Sequence, residues 1–515
     1  MKNIRITSKL LTLCFLTSLF TAGLTSYADE ILLDTWDNNT EKAYEYFCEL
    51  SKIPRCTYNE KAISDWIVAF GKERGLETIQ DENLNVLIKK PGSKGREDEP
   101  PVILQGHMDM VCEKSQDSTH NFLTDPIIPI IENDFVIAQN KTTLGADNGG
   151  GVAFILAVLD ADDLSHPPIE AIITTSEETS MTGASTFDVS LLKGKRFINV
   201  DSEGDDAFTV SSASADIVDI LIPVENMALP DGLASYTLTV KGLTGGHSGL
   251  EIHKELANAN ILLAQLLEML NNTHDVEILV TSINGGSYHN AIPRESTAVI
   301  SFENTYLETI QSIIKQAETV YKSEYPAEKN LSIILEEIET PQTIIQSESL
   351  QRVLDGILSI PNGVLSMSPD IPELVQTSNN VGVVITDEKT VILWNYPRSS
   401  IVSEQLETLD TLQSIADSIG AQAEITHVTP PWPYKQESPL RDKMIEIYVD
   451  MYGKEPQIKA LNAGLECAIF ADKMPEADLI AMGMYIYGAH TTEERLSLSS
   501  FNTSFDFLVR VLEEI

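Results

Sequence analysis

Short apolar runs that end in charged residues recur through the N-terminal part of the chain. Residues 102–104, 169–175 and 197–200 are each apolar enough to form a buried strand. Apolar residues at helical spacing lie between and before them, over 36–76 in two segments and over 152–159. Strands that alternate with helices predict a largely parallel sheet covered by helices on both faces, which is an α/β fold.

A different pattern follows this part of the chain, with two successive sets of strands and helices and with hairpin-like strand pairs. The first set contains an amphipathic helix over 255–270, and the second begins with a strand over 331–338. We therefore expect an inserted α+β domain built from a duplicated unit, with a proline-rich return at 429–433. The expected segments are a leader over 1–28, a first domain in two parts, 29–212 and 431–515, and the insert over 213–430.

Acidic residues outnumber basic residues strongly, and the formal net charge is -42. Such a surface repels phosphates and anionic lipid headgroups, so nucleic acid and an anionic membrane surface are excluded as partners. A hydrated acidic surface is favoured over a specific cationic ligand as the explanation of this charge. After the leader, no stretch has the about 18 successive apolar residues that a membrane span requires.

The first 28 residues have the composition of a secretory signal peptide. The start is basic, residues 10–24 are mostly apolar, and Ser26-Tyr27-Ala28 is a small-residue cleavage site, so we expect cleavage after Ala28 and export. Four cysteines follow the leader, without metal-binding spacing. Buried free thiols are favoured for them, and a bridge between Cys48 and Cys56 is the alternative.

Side chains that can bind metal ions occur where several of these apolar runs end. They are His107, Asp109, Asp147, Glu177, Glu178, Asp201 and His490. Each alone is more often structural, and Asp147 by itself is better explained as a helix cap. The glycines after Asp147 lack the order of a phosphate-binding loop. Together, two histidines and several carboxylates form the mixed nitrogen and oxygen donor set that suits a pair of zinc-like ions.

A series of motifs follows the chain in a characteristic order. It consists of H-x-D, G-A-D-N-G-G-G, E-E, N-x-D-S-E, G-G-H-S-G, N-A-I-P-R-E, Y-P-R-S-S, A-G-L-E-C and a late G-x-H. This order resembles the aminoacyl-histidine dipeptidases, or peptidase D, a branch of the two-zinc exopeptidases that include carnosinase, carboxypeptidase G and aminoacylase. The resemblance extends from about residue 35 to the C-terminus. It implies an α/β fold in which a mostly parallel-sheet catalytic domain carries an inserted α+β lid domain.

The resemblance implies two divalent metal ions as cofactors, with zinc expected and manganese or cobalt as alternatives. His107 and Asp201 would bind the first ion, and Glu178 and His490 the second. Asp147 would bridge the two ions.

The activity implied is hydrolysis of unblocked dipeptides, including those of the Xaa-His type. Asp109 would orient a metal-binding histidine, and Glu177 would be the general base that takes a proton from a water between the metals and passes it to the leaving amine. An N-acyl amino acid hydrolase, a tripeptide aminopeptidase and a non-catalytic peptide-binding protein are the alternatives. A second copy of the chain is a possible partner besides the dipeptide.

Substrate contacts in the lid are implied for His247, Asn290 and Arg398. His247 would reach the transition-state oxyanion, Asn290 would contact substrate, and Arg398 would bind the C-terminal carboxylate with its forked guanidinium. Without the resemblance, a glycine-turn histidine and a surface ion pair would explain His247 and Arg398. The chain departs from the family at Asn462, where a histidine is usual, in the G-A-H-T-T context of His490, and in its signal peptide, because the family is cytosolic.

Overall fold

The computed structural model describes residues 36–515 except 274, 275, 370, 372 and 373. The expected signal peptide and its cleavage site therefore lie outside the described residues. Among the helices that are described, none combines the length and the apolar character needed to cross a bilayer.

The chain up to Ser212 alternates helices with strands. Its helices are α1 (Asn38–Ser51), α2 (Lys61–Glu73), α3 (Ala146–Asp160), α4 (Glu177–Ser180) and α5 (Thr182–Thr186). Its strands are β1 (Glu77–Gln80), β2 (Val86–Lys90), β3 (Val102–His107), β4 (Pro129–Glu132), β5 (Phe135–Ala138), β6 (Ile169–Thr174), β7 (Arg196–Glu203) and β8 (Ala207–Ser212).

The middle of the chain is richer in strands. They are β9 (Ala215–Pro223), β10 (Asn226–Ala228), β11 (Ala234–Lys241), β12 (Gly246–His247), β13 (Leu279–Gly285), β14 (Ala291–Ile292), β15 (Ser296–Phe302), β16 (Ser332–Ile338), β17 (Thr343–Ile345), β18 (Gly363–Met367), β19 (Val375–Asn379), β20 (Val381–Thr386), β21 (Thr390–Asn395), β22 (Arg398–Ser399) and β23 (Gln422–Thr429). Its helices are α6 (Ala259–Asn271), α7 (Leu307–Glu324), α8 (Ser347–Ser359) and α9 (Val402–Ser418).

The C-terminal part returns to alternating helices and strands. It contains α10 (Pro439–Tyr452), β24 (Gln457–Leu461), α11 (Glu466–Lys473), β25 (Asp478–Met484), β26 (Ile486–Tyr487), β27 (Arg495–Ser497) and α12 (Leu498–Glu514).

The first and last parts of the chain share one eight-stranded sheet, ordered β1-β2-β6-β3-β7-β25-β8-β24. The central strands β6, β3, β7 and β25 are parallel, whereas β1 and β2 add an antiparallel edge. Successive side chains of β3 point to opposite faces, so Val102 and Leu104 join one buried apolar cluster and Ile103 joins another. Both faces are therefore covered, and the predicted α/β fold class is confirmed.

The middle of the chain forms a second eight-stranded sheet, ordered β16-β11-β15-β13-β20-β21-β9-β23. Strands β11, β13, β15 and β16, with α6 and α7, make one βαββαβ unit. Strands β9, β20, β21 and β23, with α8 and α9, make a second unit of the same order. The two units join where β13 pairs with β20, and a single apolar core runs beneath both.

The two units are interleaved along the chain rather than placed one after the other. Strand β9 of the second unit comes before the whole first unit, and the short strands β10 and β17 pair where the chain enters and leaves that unit. The strand expected to begin a second set, 331–338, is instead β16, the last strand of the first unit. The place of this strand in the fold depends on pairing between distant segments, which the local pattern of apolar residues does not reveal.

The helix expected over 255–270 begins later in the structure, at Ala259. Glu255 has a left-handed backbone after a 3-10 turn over Ile252–Lys254, so it cannot continue into an α-helix. The side chain of Asn258 instead accepts hydrogen bonds from the N–H groups of Asn260 and Ile261 and caps the helix.

A disulfide joins Cys56 to Cys112, with 5.7 Å between their Cα atoms. The expectation of free thiols, and the alternative bridge from Cys48 to Cys56, are therefore wrong for this pair, although Cys467 is a buried free thiol. Cys56 also lies in a β-bridge with Met110. The disulfide thus attaches the loop after α1 to the chain that leaves β3. Sequence spacing cannot reveal such a pairing between distant segments.

Candidate metal centre

Adjacent strands of the first sheet bring four of the predicted residues to one edge. His107 is the last residue of β3, and Asp201 lies near the end of the neighbouring parallel strand β7. Glu177 and Glu178 begin the short helix that follows β6, on the other side of β3. Ligand sites in open α/β sheets lie beyond these carboxyl ends of the strands.

Asp147 enters this edge from the start of α3, and His490 enters it from the loop after β26. The backbone of Asp147 is not helical, with φ −80° and ψ 112°, and Gly145 occupies the cap position. The cap predicted for Asp147 alone is therefore wrong, because its carboxylate turns toward the sheet edge.

Two groups of side chains share Asp147. His107 Nε2 lies 3.2 Å from Asp147 Oδ1 and 3.7 Å from Asp201 Oδ1. His490 Nε2 lies 3.4 Å from Asp147 Oδ2 and 2.9 Å from Glu178 Oε2. Each oxygen of Asp147 thus faces a different histidine, and each group could hold a metal ion.

A further grouping combines His107 with Glu177 and Glu178. Glu177 Oε2 is 4.0 Å from His107 Nε2, farther than either Asp147 or Asp201. The structure thus brings Glu177 close to the first group without making it the nearest carboxylate.

The charge balance of the centre fits divalent cations. Burial raises the pKa of Asp201 to about 6 and raises the pKa of Glu177 well above its usual range, and neighbouring carboxylates add to both shifts. Hydrogen bonds to Asp147 and Glu178 raise the pKa of His490 to about 11. A metal ion would take the place of that proton and relieve the repulsion between the carboxylates. Glu178 Oε1, buried without a hydrogen-bond partner, is a further group that a cation would satisfy.

Asp109 supports the centre from behind. Its carboxylate is fully buried and lies 3.3 Å from His107 Nδ1, the ring nitrogen that faces away from Asp147. It also accepts hydrogen bonds from the hydroxyl of Thr57 and from the backbone N–H groups of Glu177 and Glu178. One carboxylate thus orients the histidine ring and holds the acidic pair in place.

The centre lines a cavity of about 270 Å³. Besides the ligand side chains, its wall includes Leu250, which belongs to the second sheet's part of the chain, and Lys459 and Leu461 of β24. Both parts of the molecule therefore face the same cavity.

His247 is the last residue of the short strand β12, directly before the turn that contains Gly249 and Leu250. Its Nδ1 accepts hydrogen bonds from the N–H groups of Gly249 and Leu250, at 3.1 and 3.0 Å, which leaves the proton on Nε2. Burial and the charge of Arg398 lower the pKa of His247 to about 4. The ring is therefore a neutral donor through Nε2 at ordinary pH.

Arg398 is buried, and its guanidinium stacks over the ring of Tyr396 at 4.6 Å. Its Nε has no hydrogen-bond partner, and no carboxylate within the described chain forms an ion pair with it. The surface ion pair considered for Arg398 is thus wrong. Burial lowers the pKa of this guanidinium, and a buried unpaired cation is costly unless an anion arrives.

Gly249 packs closely against His247, Arg398 and Asn462. A Cβ at this position would lie 3.2 Å from Arg398 Nε and 2.0 Å from the backbone oxygen of Asn462, so only glycine fits. The amide of Asn462 donates to Ser378 Oγ at 2.9 Å and to Gly249 O at 3.4 Å. Asn290 and His247 both line a groove of the inserted part, and the backbone oxygen of Asn290 accepts a hydrogen bond from Ser248 N at 2.8 Å.

Comparisons with known proteins show the family to which the chain belongs. Residues 231–329 match the family described as the peptidase dimerisation domain of M20 type. The crystal structure of aminoacylhistidine dipeptidase from Vibrio alginolyticus is 33% identical, with a TM-score of 0.85 over 94% of this chain and 98% of that chain. The cytosol non-specific dipeptidase of Escherichia coli (strain K12) is 34% identical over 473 residues, 92% of this chain and 97% of that protein. The chain belongs to the M20 family of peptidases.

This M20 peptidase also shares its fold with the more distant aminopeptidase PepT from Bacillus cereus, at 14% identity and a TM-score of 0.54 over 92% of this chain and 98% of that chain. The family resemblance expected from the motifs is confirmed, and so is the assignment of the chain as a metallopeptidase. The expected homodimer stays a prediction, although the matched dimerisation domain is consistent with it.

Three buried charged residues of the M20 peptidase lie beside the centre and are absent from the set predicted from sequence. They are Arg55, Glu466 and Glu494. The carboxylate of Glu466 accepts hydrogen bonds from the side chains of Gln105 and Thr174. Burial raises the pKa of Glu466 to about 8. An acidic residue inside the otherwise small and apolar motif A-G-L-E-C is the signal that could have revealed it. The pair Glu493-Glu494 shortly after His490 is the corresponding signal for Glu494.

Metal analysis tests the shared position of Asp147. The zinc-loaded protein is expected to hold two ions per chain after dialysis, measured by plasma mass spectrometry. Asp147→Asn should lose affinity for both ions, whereas His490→Gln should lose one, because only Asp147 faces both histidines. His427→Gln is the control, since that histidine is exposed and pairs with Asp216. Two tightly held ions in Asp147→Asn would contradict the arrangement.

Proposed function

We propose that the protein hydrolyses unblocked dipeptides, including those of the Xaa-His type, with two divalent metal ions. The observation that carries the proposal is the pair of donor groups that share Asp147 and face one cavity. The names of the Vibrio alginolyticus and Escherichia coli relatives support a dipeptide substrate.

We assign His107 and Asp201 to one ion, Glu178 and His490 to the other, and Asp147 to both. Nitrogen and carboxylate donors suit zinc, and manganese or cobalt would also be accepted. Bound divalent ions would supply Lewis-acid polarisation of the scissile carbonyl and would lower the pKa of a water in the cavity.

Glu177 is the general base in this proposal. Its carboxylate is largely buried, next to the first donor group, and its backbone is held by Asp109. A carboxylate in this position can take a proton from the attacking water and give it to the leaving amine. Asp109 contributes by fixing the orientation of His107.

The lid, proposed to be residues 213–430, supplies the substrate contacts. His247 donates from Nε2 to the oxyanion that develops at the attacked carbonyl, because its Nδ1 is already occupied by two backbone donors. Arg398 binds the C-terminal carboxylate, the anion that its buried guanidinium lacks. Asn290 contacts the substrate from the adjoining groove.

Substitution of the base tests the chemical step. Glu177→Gln is expected to lower kcat by about 10²- to 10⁴-fold, because the amide cannot accept the proton. Metal content should remain at two ions per chain, which serves as the control for an intact centre. Full activity in Glu177→Gln would overturn the mechanism.

Substitution of Arg398 tests recognition of the carboxylate. Arg398→Ala should raise KM for a dipeptide by about 10- to 100-fold, since a charge-assisted hydrogen bond contributes about 1.5–3 kcal/mol. A dipeptide with an amidated C-terminus should be equally poor for both proteins. Arg352→Ala is the control, because that lid arginine donates to Pro223 O and Ser349 Oγ. An unchanged KM in Arg398→Ala would remove this assignment.

We also propose that the protein is exported. The Escherichia coli relative is named for the cytosol, so the support comes from this chain alone: the signal-like N-terminus and the Cys56–Cys112 disulfide. Disulfides persist outside the reducing cytosol.

Mass mapping of protein taken from its native host tests export. The mature chain is expected to begin at Asp29 and to contain a peptide linking Cys56 to Cys112, whereas the buried thiol of Cys467 should be alkylated only after denaturation. A chain that keeps its first 28 residues, with Cys56 and Cys112 reduced, would contradict export.

A further inference from the structure

Glu494 is a buried carboxylate that holds four successive backbone N–H groups. Its Oε2 accepts from Leu144 and Gly145 at 2.7 and 2.9 Å, and its Oε1 accepts from Ala146 and Asp147 at 2.8 and 3.2 Å. The side chain is 3% exposed and comes from a segment about 350 positions away. Asp147 is the last of the four residues, so Glu494 holds the backbone of the residue that joins both donor groups.

Arg55 binds the carbonyl side of the turn formed by residues 144–147, whose N–H groups Glu494 accepts from. Its guanidinium donates to the backbone oxygen of Gly145, and also to those of Met108 and Asp109 at 3.0 and 3.2 Å. Gly145 has φ 69°, and a Cβ there would lie 2.6 Å from Arg55 Nη2. The turn is therefore built with an anion on its N–H side and a cation on its C=O side.

Glu494 also belongs to the segment that carries His490. This segment is folded by hydrogen bonds from Thr491 N to Gly488 O and from Glu494 N to Thr491 O. The side chain of Glu494 therefore connects the backbone of Asp147 to the segment that carries His490. This connection is separate from the contact of 3.4 Å between the side chains of Asp147 and His490.

An ordinary helix cap would not need this arrangement. A short exposed side chain can cap a helix, whereas burying a charged carboxylate is costly unless it is well bonded. We propose that Glu494 is a positioning residue of the metal centre, which fixes the distance between Asp147 and His490 and so the affinity for the ion they share. This inference rests on the proposed two-metal function.

A purely structural role and a positioning role differ in what they change. Loss of a cap lowers the thermal midpoint of unfolding and leaves metal affinity unchanged. Loss of positioning lowers the affinity for one ion, by the about 10- to 100-fold typical of residues that orient metal ligands. It also lowers kcat more than it raises KM, because Arg398 and the lid contacts are untouched.

The variant that tests this is Glu494→Gln, with Glu493→Gln as the matched control. Glu493 is exposed, one position away, and carries the same charge. Calorimetric zinc titration of the metal-free proteins should show two ions bound by the wild type and by Glu493→Gln. Glu494→Gln should bind one ion at least tenfold more weakly, and excess zinc should restore part of kcat.

Two further variants keep the test decisive. In a His490→Gln background, Glu494→Gln should weaken metal binding little further, since both act on the same ion, whereas full additivity would overturn the proposal. Thr491→Ala disturbs the same segment at an exposed position, where its hydroxyl donates to Gly488 O, and should weaken the same ion by a smaller factor even if Glu494→Gln does not fold.

The outcomes separate this inference from the proposed function. A wild type that binds fewer than two ions would defeat the two-metal function itself. A wild type that binds two ions, together with Glu494→Gln and Thr491→Ala that bind both ions as tightly, would defeat only the role of Glu494.

Discussion

Mutual repulsion among partly buried carboxylates constrains the architecture around the candidate centre. Four carboxylates meet at one sheet edge, each of them only partly exposed to solvent: Asp147, Glu177, Glu178 and Asp201. Such a group is tolerable only when cations balance it and when the backbone that carries it cannot relax apart. That backbone is held in place by the parallel strands, by the Asp109 carboxylate, and by Arg55 and Glu494 on the turn before Asp147. The site is therefore held by its surroundings before any ion binds.

The local sequence predicts the position of a site residue where that position depends on a single strand. The apolar run before His107 and the run before Asp201 each indicate a strand whose end carries the side chain, and the structure places both there. Asp147 could not be assigned from its own neighbourhood, because a carboxylate at a helix start is equally suited to capping. Only the family resemblance separated those possibilities, and the backbone angles now exclude the cap.

Features that depend on distant segments could not be read from the chain. The Cys56–Cys112 pair, the bonds of Glu494 and the place of residues 331–338 in the first unit all require knowledge of which segments become neighbours. The insert shows this most clearly, since its duplication was visible as pattern while its interleaving was not. His247 follows the first unit's β11 and Arg398 follows the second unit's β21, yet both reach Gly249.

The interleaved order of the two units also determines when the chain can finish folding. Strand β9 pairs with β21 and β23, and the first sheet needs β24 and β25 from near the C-terminus. At ordinary rates of synthesis, about 10 to 40 s separate the emergence of β9 from that of β23. Neither sheet can be completed during that interval, because strands that belong to it have not yet been synthesised. A nascent chain of this topology therefore cannot complete either sheet until strands from its last part have been made.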